Sequence, residues 1–156
     1  MVINEMKENE CGAFLTSASL GRLGCSLNNQ PYVVPIYFAY EPAYIYALST
    51  FGQKTDWMRA NPRVCLEVDE IKDQSQWISV IANGRYEELP EPQYTAEREH
   101  ARKLLGKHHR WWQNALGERQ LKLGDELITP LFFRIHVDSL TGLYATGESA
   151  ESGNAA

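Results

Sequence analysis

Apolar positions recur along this chain at two periods, and the change of period marks its elements. Met6, Cys11, Phe14 and Leu15 keep an approximate helical spacing. They predict a first helix over 4–17 that Asn4 would cap, with Gly12 as its weak point. From Leu20 the spacing turns to strand type. Leu20–Leu27 is a short strand with two glycines, and Asn28-Asn29-Gln30 has turn chemistry, because asparagine tolerates the left-handed region. Tyr32–Tyr40 is the strongest strand, rich in β-branched and aromatic residues. Glu41-Pro42-Ala43 turns it into Tyr44–Leu48, which makes a hairpin.

Ser49–Gly52 breaks the pattern, and Lys54–Ala60 reads as a short helix stopped by Asn61-Pro62. Arg63–Ile71 alternates Val64, Leu66 and Val68 against Arg63, Glu67 and Asp69. Gln76–Leu89 is a long strand with Ile78, Val80 and Tyr86 on one face and a bend or bulge at Gly84. Ala101, Leu104, Leu105, His108, Trp111, Trp112 and Leu116 predict a helix over 95–116 that Gly106 would split. Leu131–Val137 is a last strand, and Leu140–Ala145 either continues the sheet or loops back. The tail over 146–156 is small and polar, and it is expected to be disordered. Five or six short strands joined by tight turns imply a mainly β protein: one antiparallel barrel of the Greek-key type with flanking helices, a single domain over 1–145.

Composition supports this and narrows the partners. The chain has 156 residues, 44% hydrophobic and 22% charged, enough for one domain with a real core. No stretch reaches the roughly 20 apolar residues that span a bilayer. Met1–Glu10 has no apolar segment of the signal-peptide kind, so a cytoplasmic protein is expected. Cys11, Cys25 and Cys65 are odd in number and widely spaced, which suits free thiols rather than disulfides or a zinc site. The net charge of −5 argues against nucleic acid. Charge is uneven, however. Glu97–Lys122 carries seven Lys or Arg against three Glu, or +4, which leaves −9 for the rest. Such a basic segment suits a phosphate-bearing ligand, or is simply a solvated helix face.

Three features point to chemistry. Pro35 interrupts the best strand. Proline cannot donate to a ladder, so either this strand is an edge or its backbone faces something other than a neighbour, such as a flat ring with carbonyl and imide edges. Ser49-Thr50-Phe51-Gly52-Gln53-Lys54 places hydroxyls, a glycine, an amide and a cation at a helix start, a set that can hold phosphate. Trp77 opens the long strand with a surface that packs on flat rings, or into a core or interface.

Taken in order, these segments resemble a known family. Gly21-Arg22-Leu23-Gly24, Pro31-Tyr32-Val33-Val34-Pro35-Ile36, Ile45-Tyr46 and the run Gly52 to Val64 are similar to the FMN-binding split barrels of the pyridoxamine-phosphate-oxidase superfamily. The nearest branch is the nitroimidazole-reductase-like flavoproteins. Trp77-Ile78-Ser79-Val80, Gly84 to Leu89, Phe133-Arg134-Ile135 and Leu140-Thr141-Gly142 continue the match, which spans about Met6 to Tyr144. The resemblance implies an FMN-binding homodimer and an oxidoreductase passing electrons from NAD(P)H to a small molecule. It implies that Val33, Val34, Pro35 and Ile36 lie along the isoalloxazine ring through their backbone. Leu48, Ser49 and Thr50 would sit near the ring and ribityl chain, Gln53 and Lys54 on the phosphate, and Trp77 and Ser79 on a strand that adds contacts, across the dimer in one arrangement.

Three positions depart from the pattern. Gln53 stands where relatives usually carry arginine, which weakens bidentate phosphate holding. Leu48-Ser49 replaces a His-Ser pair, and Leu143 replaces an arginine after the Thr-Gly. No catalytic residue stands out. The departures keep three alternatives open: a flavin-binding module without turnover, a deazaflavin ligand, and haem held by His100 or His108, since distant split barrels include haem-degrading proteins. Pyridoxamine-phosphate oxidation itself is disfavoured, because Ile135–Ala145 lacks a tryptophan- and arginine-rich segment.

Overall fold

The structure, a computed structural model, describes residues 1–107, 121–123, 126–128 and 130–147. The chain opens with strand β1 (Val2–Glu5) and helix α1 (Glu8–Ser17). The helix expected from Asn4 is therefore shorter. Its first residues are extended and pair with Leu143–Thr146. A strand edge offers these residues backbone partners that the first turn of a helix lacks. The helix starts where the Lys7 N–H can donate to the Glu10 carboxylate, at 3.2 Å.

β2 (Leu20–Leu27) and β3 (Gln30–Glu41) form a hairpin. Its turn residues Asn28 and Asn29 have φ of 50° and 64°, the left-handed backbone anticipated for them. Then come β4 (Tyr44–Ser49), α2 (Gln53–Ala60), β5 (Arg63–Asp73), β6 (Gln76–Glu88) and α3 (Thr95–Gly106). A small hairpin, β7 (Leu121–Leu123) with β8 (Glu126–Ile128), precedes β9 (Leu131–Thr146). His108, His109, Trp111 and Trp112 lie outside the described residues, as does the tail from 148 onward. Thr146, assigned to that tail from the sequence, is still in β9 and pairs with Val2. No helix among the described residues is long and apolar enough to cross a membrane.

The strands run in the order β4-β3-β2-β5-β6-β9, and β9 returns to β4, so six antiparallel strands close a barrel. After the meander β2-β3-β4 the chain comes back to place β5 beside β2, which is Greek-key topology. β1 extends the sheet from the far end of β9.

β9 is one strand of 16 residues, not two. Asp138 is an extra residue in it: Asn83 pairs with Ser139 and Gly84 with Val137. The bulge expected at Gly84 is thus shared, with the additional residue on the partner strand. A Cβ on Gly84 would lie 2.1 Å from the His136 carbonyl oxygen, so only glycine allows the two strands this approach.

Alternation divides the apolar residues between two cores. The barrel interior holds Leu23, Ile36, Phe38, Ile45, Leu66, Val80, Phe133 and Ile135, stoppered by Cys11 and Leu15 of α1 and Met58 of α2. A second core lies on the outer wall, where α3 (Ala101, Leu105) covers Ala39, Tyr46, Leu48 and Phe132.

Glu87 pins the rim of that second core. It accepts hydrogen bonds from Arg134 (3.0 and 3.4 Å) and lies against His136 Nε2. The Arg134 guanidinium in turn covers the Tyr44 ring at 4.6 Å. Burial alone would push the Glu87 carboxyl up, but bonds from Arg134, His136 and Tyr94 outweigh it and hold it at about 2. A carboxyl lowered from its ordinary 4.5 stabilises the fold fully above that value, and the contribution disappears as pH falls toward 2. Glu87→Gln is therefore expected to lose roughly 2–3 kcal/mol of stability at pH 7 and to flatten the acid limb of the stability curve. Denaturant titrations from pH 7 to pH 2 check this; an unchanged acid limb contradicts it.

Candidate functional site

β3 and β4 pair at only four positions, from Phe38 with Ala47 to Glu41 with Tyr44. Beyond Phe38, toward the hairpin turn, β3 stays paired to β2 but has no strand on its other edge among the described residues. β4 instead follows β9, where Leu48 pairs with Phe132 and Ser49 with Leu131. The barrel wall splits there. Pro35 sits in the open section, opposite Arg22, which is the edge setting a proline requires. Along this edge Val33 and Pro35 are exposed, while Val34 and Ile36 turn toward the core. Val33 to Ile36 therefore offer backbone groups that no neighbouring strand uses.

α2 packs on β2 at this end of the barrel. The Trp57 ring meets Tyr32 at 5.7 Å between centroids, and the Asn61 amide donates to the Ser26 carbonyl at 3.0 Å. Met58 anchors the helix from within the barrel. α2 starts four residues after β4 ends, so Leu48, Ser49, Thr50, Gln53 and Lys54 lie on one short stretch of chain between the last residues of β4 and the first turn of α2. Leu48 and Ser49 are buried, and the Ser49 hydroxyl donates to the Thr50 carbonyl at 3.1 Å. Gln53 is exposed and Lys54 half-buried.

Lys54 is the informative residue. Burial draws its ammonium pKa down, and the nearby Cys25 thiol opposes that only in part. Among the described residues no carboxylate lies within ion-pair distance of it. A desolvated cation without a counter-charge is costly, and an anion bound at this position would complete it. The first-turn amides of α2 point the same way, since they have no carbonyl one turn earlier. The donor set thus fits a phosphate group next to an open strand edge.

Thr55 had no role in the sequence reading. It is fully buried, and its hydroxyl both donates to the Gly52 carbonyl and accepts from the Gly52 N–H, each at 2.8 Å. It fastens both backbone groups of the residue that begins α2. A hydroxyl three positions after a glycine was the available signal.

Trp77 and Ser79 are not brought to the split of their own chain. They pair with Ala145 and Leu143, at the opposite end of β9 from Leu131. Trp77 borders a hollow of about 410 Å³ with Phe14, Glu70 and Lys72. Ser79 donates to Glu67 at 3.1 Å, and burial, followed by Asp69, raises the Glu67 carboxyl. His100 is engaged elsewhere: its Nε2 is 2.9 Å from Glu41, and its ring meets Tyr46 edge-on at 5.6 Å.

Together these features define an antiparallel six-stranded barrel, split between β3 and β4, with a half-buried lysine in the first turn of α2. The sequence profile of the pyridoxamine 5'-phosphate oxidase family matches residues 7–143, and this chain belongs to that family. An uncharacterized protein of Rhizobium meliloti (strain 1021) is 38% identical over 143 residues, covering 91% of this chain and 95% of its own. Among solved structures, a FAD-binding protein of Mesorhizobium loti is 40% identical with a TM-score of 0.76, over 94% of this chain and 99% of its own. A candidate 5-nitroimidazole antibiotic resistance protein of Bacteroides thetaiotaomicron shares the split-barrel fold at 20% identity and TM-score 0.66, covering 92% and 89% of the two chains.

The Thr55 bonds make a local prediction. Thr55→Val keeps the shape of the side chain but leaves the Gly52 N–H unpaired, while the Gly52 carbonyl still accepts from the Asp56 N–H at 3.1 Å, and is expected to cost about 1–2 kcal/mol. Thr55→Ser should retain most of that. Thermal unfolding of the two variants separates these outcomes, and equal stability of Val and wild type would remove the tie from the account.

Proposed function

We propose that this protein is a flavin-dependent oxidoreductase that binds its flavin nucleotide in the split beside β3. The observations that carry the proposal are the unpaired edge of Val33 to Ile36 and Lys54, a desolvated cation beside Cys25 with no carboxylate partner among the described residues. The backbone of Val33, Val34, Pro35 and Ile36 would meet the polar edge of a flat ring. Leu48, Ser49 and Thr50 would border the ring and ribityl chain, and Gln53 and Lys54 would hold the phosphate. These residues address the FMN moiety, which FMN and FAD share. Bound there, the flavin supplies the two-electron chemistry, with NAD(P)H as donor and a small aromatic or nitro-bearing molecule as acceptor.

The functional unit in this reading is a homodimer. Leu20 and Val33, on the paired strands β2 and β3, and Ile81 and Leu143, on the paired strands β6 and β9, are exposed apolar residues, with β5 between the two pairs. A two-fold partner would cover them and could bring its Trp77 and Ser79 to the cleft. The likeness to a FAD-binding protein at 40% identity supports a flavin ligand.

Purified protein incubated with FMN or FAD and passed through a desalting column should retain a chromophore absorbing at about 450 nm. Under anaerobic conditions NADH or NADPH should bleach it. Loss of all flavin on the column would defeat the proposal; retention without bleaching by either donor would reduce it to flavin binding alone. In light scattering the flavin-loaded protein is expected at twice the chain mass, and a monomer would overturn the dimer.

A further inference from the structure

Residues directly opposite in an antiparallel ladder point to the same face of the sheet. The ladders therefore set Pro35, Arg22, Glu67, Ile81 and Thr141 in one row across β3, β2, β5, β6 and β9. Their neighbours Leu23, Leu66 and Val80 fill the barrel interior, so this row lies on the outer wall. Asp69, Ser79 and Leu143 make the next row on the same face. Apolar residues flank the charges on both sides, Leu20 and Val33 on one and Ile81 and Leu143 on the other, each 40% exposed or more.

The charges in the middle are not matched within the chain. Glu67 accepts from the Ser79 hydroxyl at 3.1 Å, and burial, with Asp69 adding to it, raises its carboxyl against that bond. Arg22 stands directly across the ladder and opposes this least. Its side chain is exposed, and among the described residues it forms no ion pair and no side-chain hydrogen bond. An unpaired guanidinium thus lies beside two carboxylates, between two apolar patches.

We infer that this wall is the two-fold face of the homodimer, with Arg22 of each copy bridging Glu67 and Asp69 of the other; this rests on the homodimer reading above. A two-fold axis normal to the sheet and between β2 and β5 exchanges β2 with β5 and β3 with β6. Arg22 then faces the partner's Glu67, and Glu67 faces the partner's Arg22, so both bridges form together. The same rotation lays the partner's Ile81 on Pro35 and the partner's Ser79 on Val33, with the partner's Trp77 beyond it. The second copy's β6 thereby covers the section of β3 that β4 leaves unpaired. An axis through β5 itself would instead set Glu67 against the partner's Glu67, carboxylate on carboxylate. The flanking apolar residues shield the bridges from water, where ion pairs across an interface are strongest.

The test uses the full-length chain with Arg22→Glu and, separately, Glu67→Arg, followed by light scattering and native mass spectrometry. Each variant alone opposes like charges at both contacts and is expected to be a monomer. Mixed in equal amounts, the two present opposite charges at both contacts and are expected to form a heterodimer with one chain of each. Monomers that stay monomeric on mixing would overturn the inference, and so would variants that each remain dimeric. A monomeric wild type would bring down the homodimer reading itself. Should circular dichroism show either reversal unfolded, Arg22→Gln and Glu67→Gln decide the matter. Each is expected to weaken the dimer roughly tenfold or more, and the double variant little further than either alone. Additive effects, or none, would overturn the bridge while leaving a dimer through another contact.

Discussion

β3 is laddered to β2 over eight positions, Gln30 to Tyr37, but to β4 over only four, Phe38 to Glu41, and the molecule is arranged around that inequality. An antiparallel barrel closes when every strand finds two neighbours, since unpaired backbone groups are costly in the interior. Here closure is supplied by β9, which is long enough to hold β4 with its first residues and β6 with most of its length. β4 can therefore leave β3 without opening the barrel on both sides. The open section of β3 keeps its polar edge, and α2 packs on β2 and plugs the barrel with Met58.

The bulge at Asp138 serves the same geometry. It lets one strand of 16 residues turn from pairing with β4 to pairing with β1 while it stays on β6 throughout. Gly84 admits the close approach of His136 at that bend. The carboxylates of β6 then tie the outer layers to the wall. Glu87 gathers Arg134 and His136 under α3, and Glu88 holds Arg59 at the end of α2. Adjacent residues of one strand thus face opposite layers and secure each with charge-assisted bonds.

Membership of the pyridoxamine 5'-phosphate oxidase family agrees with this architecture and leaves room for differences at the cleft. In the proposed flavin site Gln53 would offer a neutral amide where a guanidinium would grip phosphate at two points. The burden of charge falls on Lys54, whose desolvation strengthens its attraction for an anion while making its protonation harder. Leu48 is buried in the outer-wall core beneath α3.

Local signals in the sequence determined most of the elements and one feature of the site. Period-two alternation, the Asn28-Asn29 turn, Gly84 and the proline in β3 each act through near neighbours or intrinsic backbone preference, and each is realised in place. The barrel class follows from their order. What local chemistry could not carry was decided by partners distant in the chain. Val2–Glu5 is a strand because Leu143–Thr146 lies beside it, against a helical pattern that begins at Asn4. Leu131–Thr146 is one strand because the ladder of β6 holds both halves across Asp138. The split itself is tertiary: no residue of β4 declares that it will abandon β3 for β9. Lys54 acquires its altered proton affinity, and Trp77 and Ser79 their distance from the cleft, only when the barrel closes. Burial and register are properties of the packed sheet, and sequence spacing alone does not contain them.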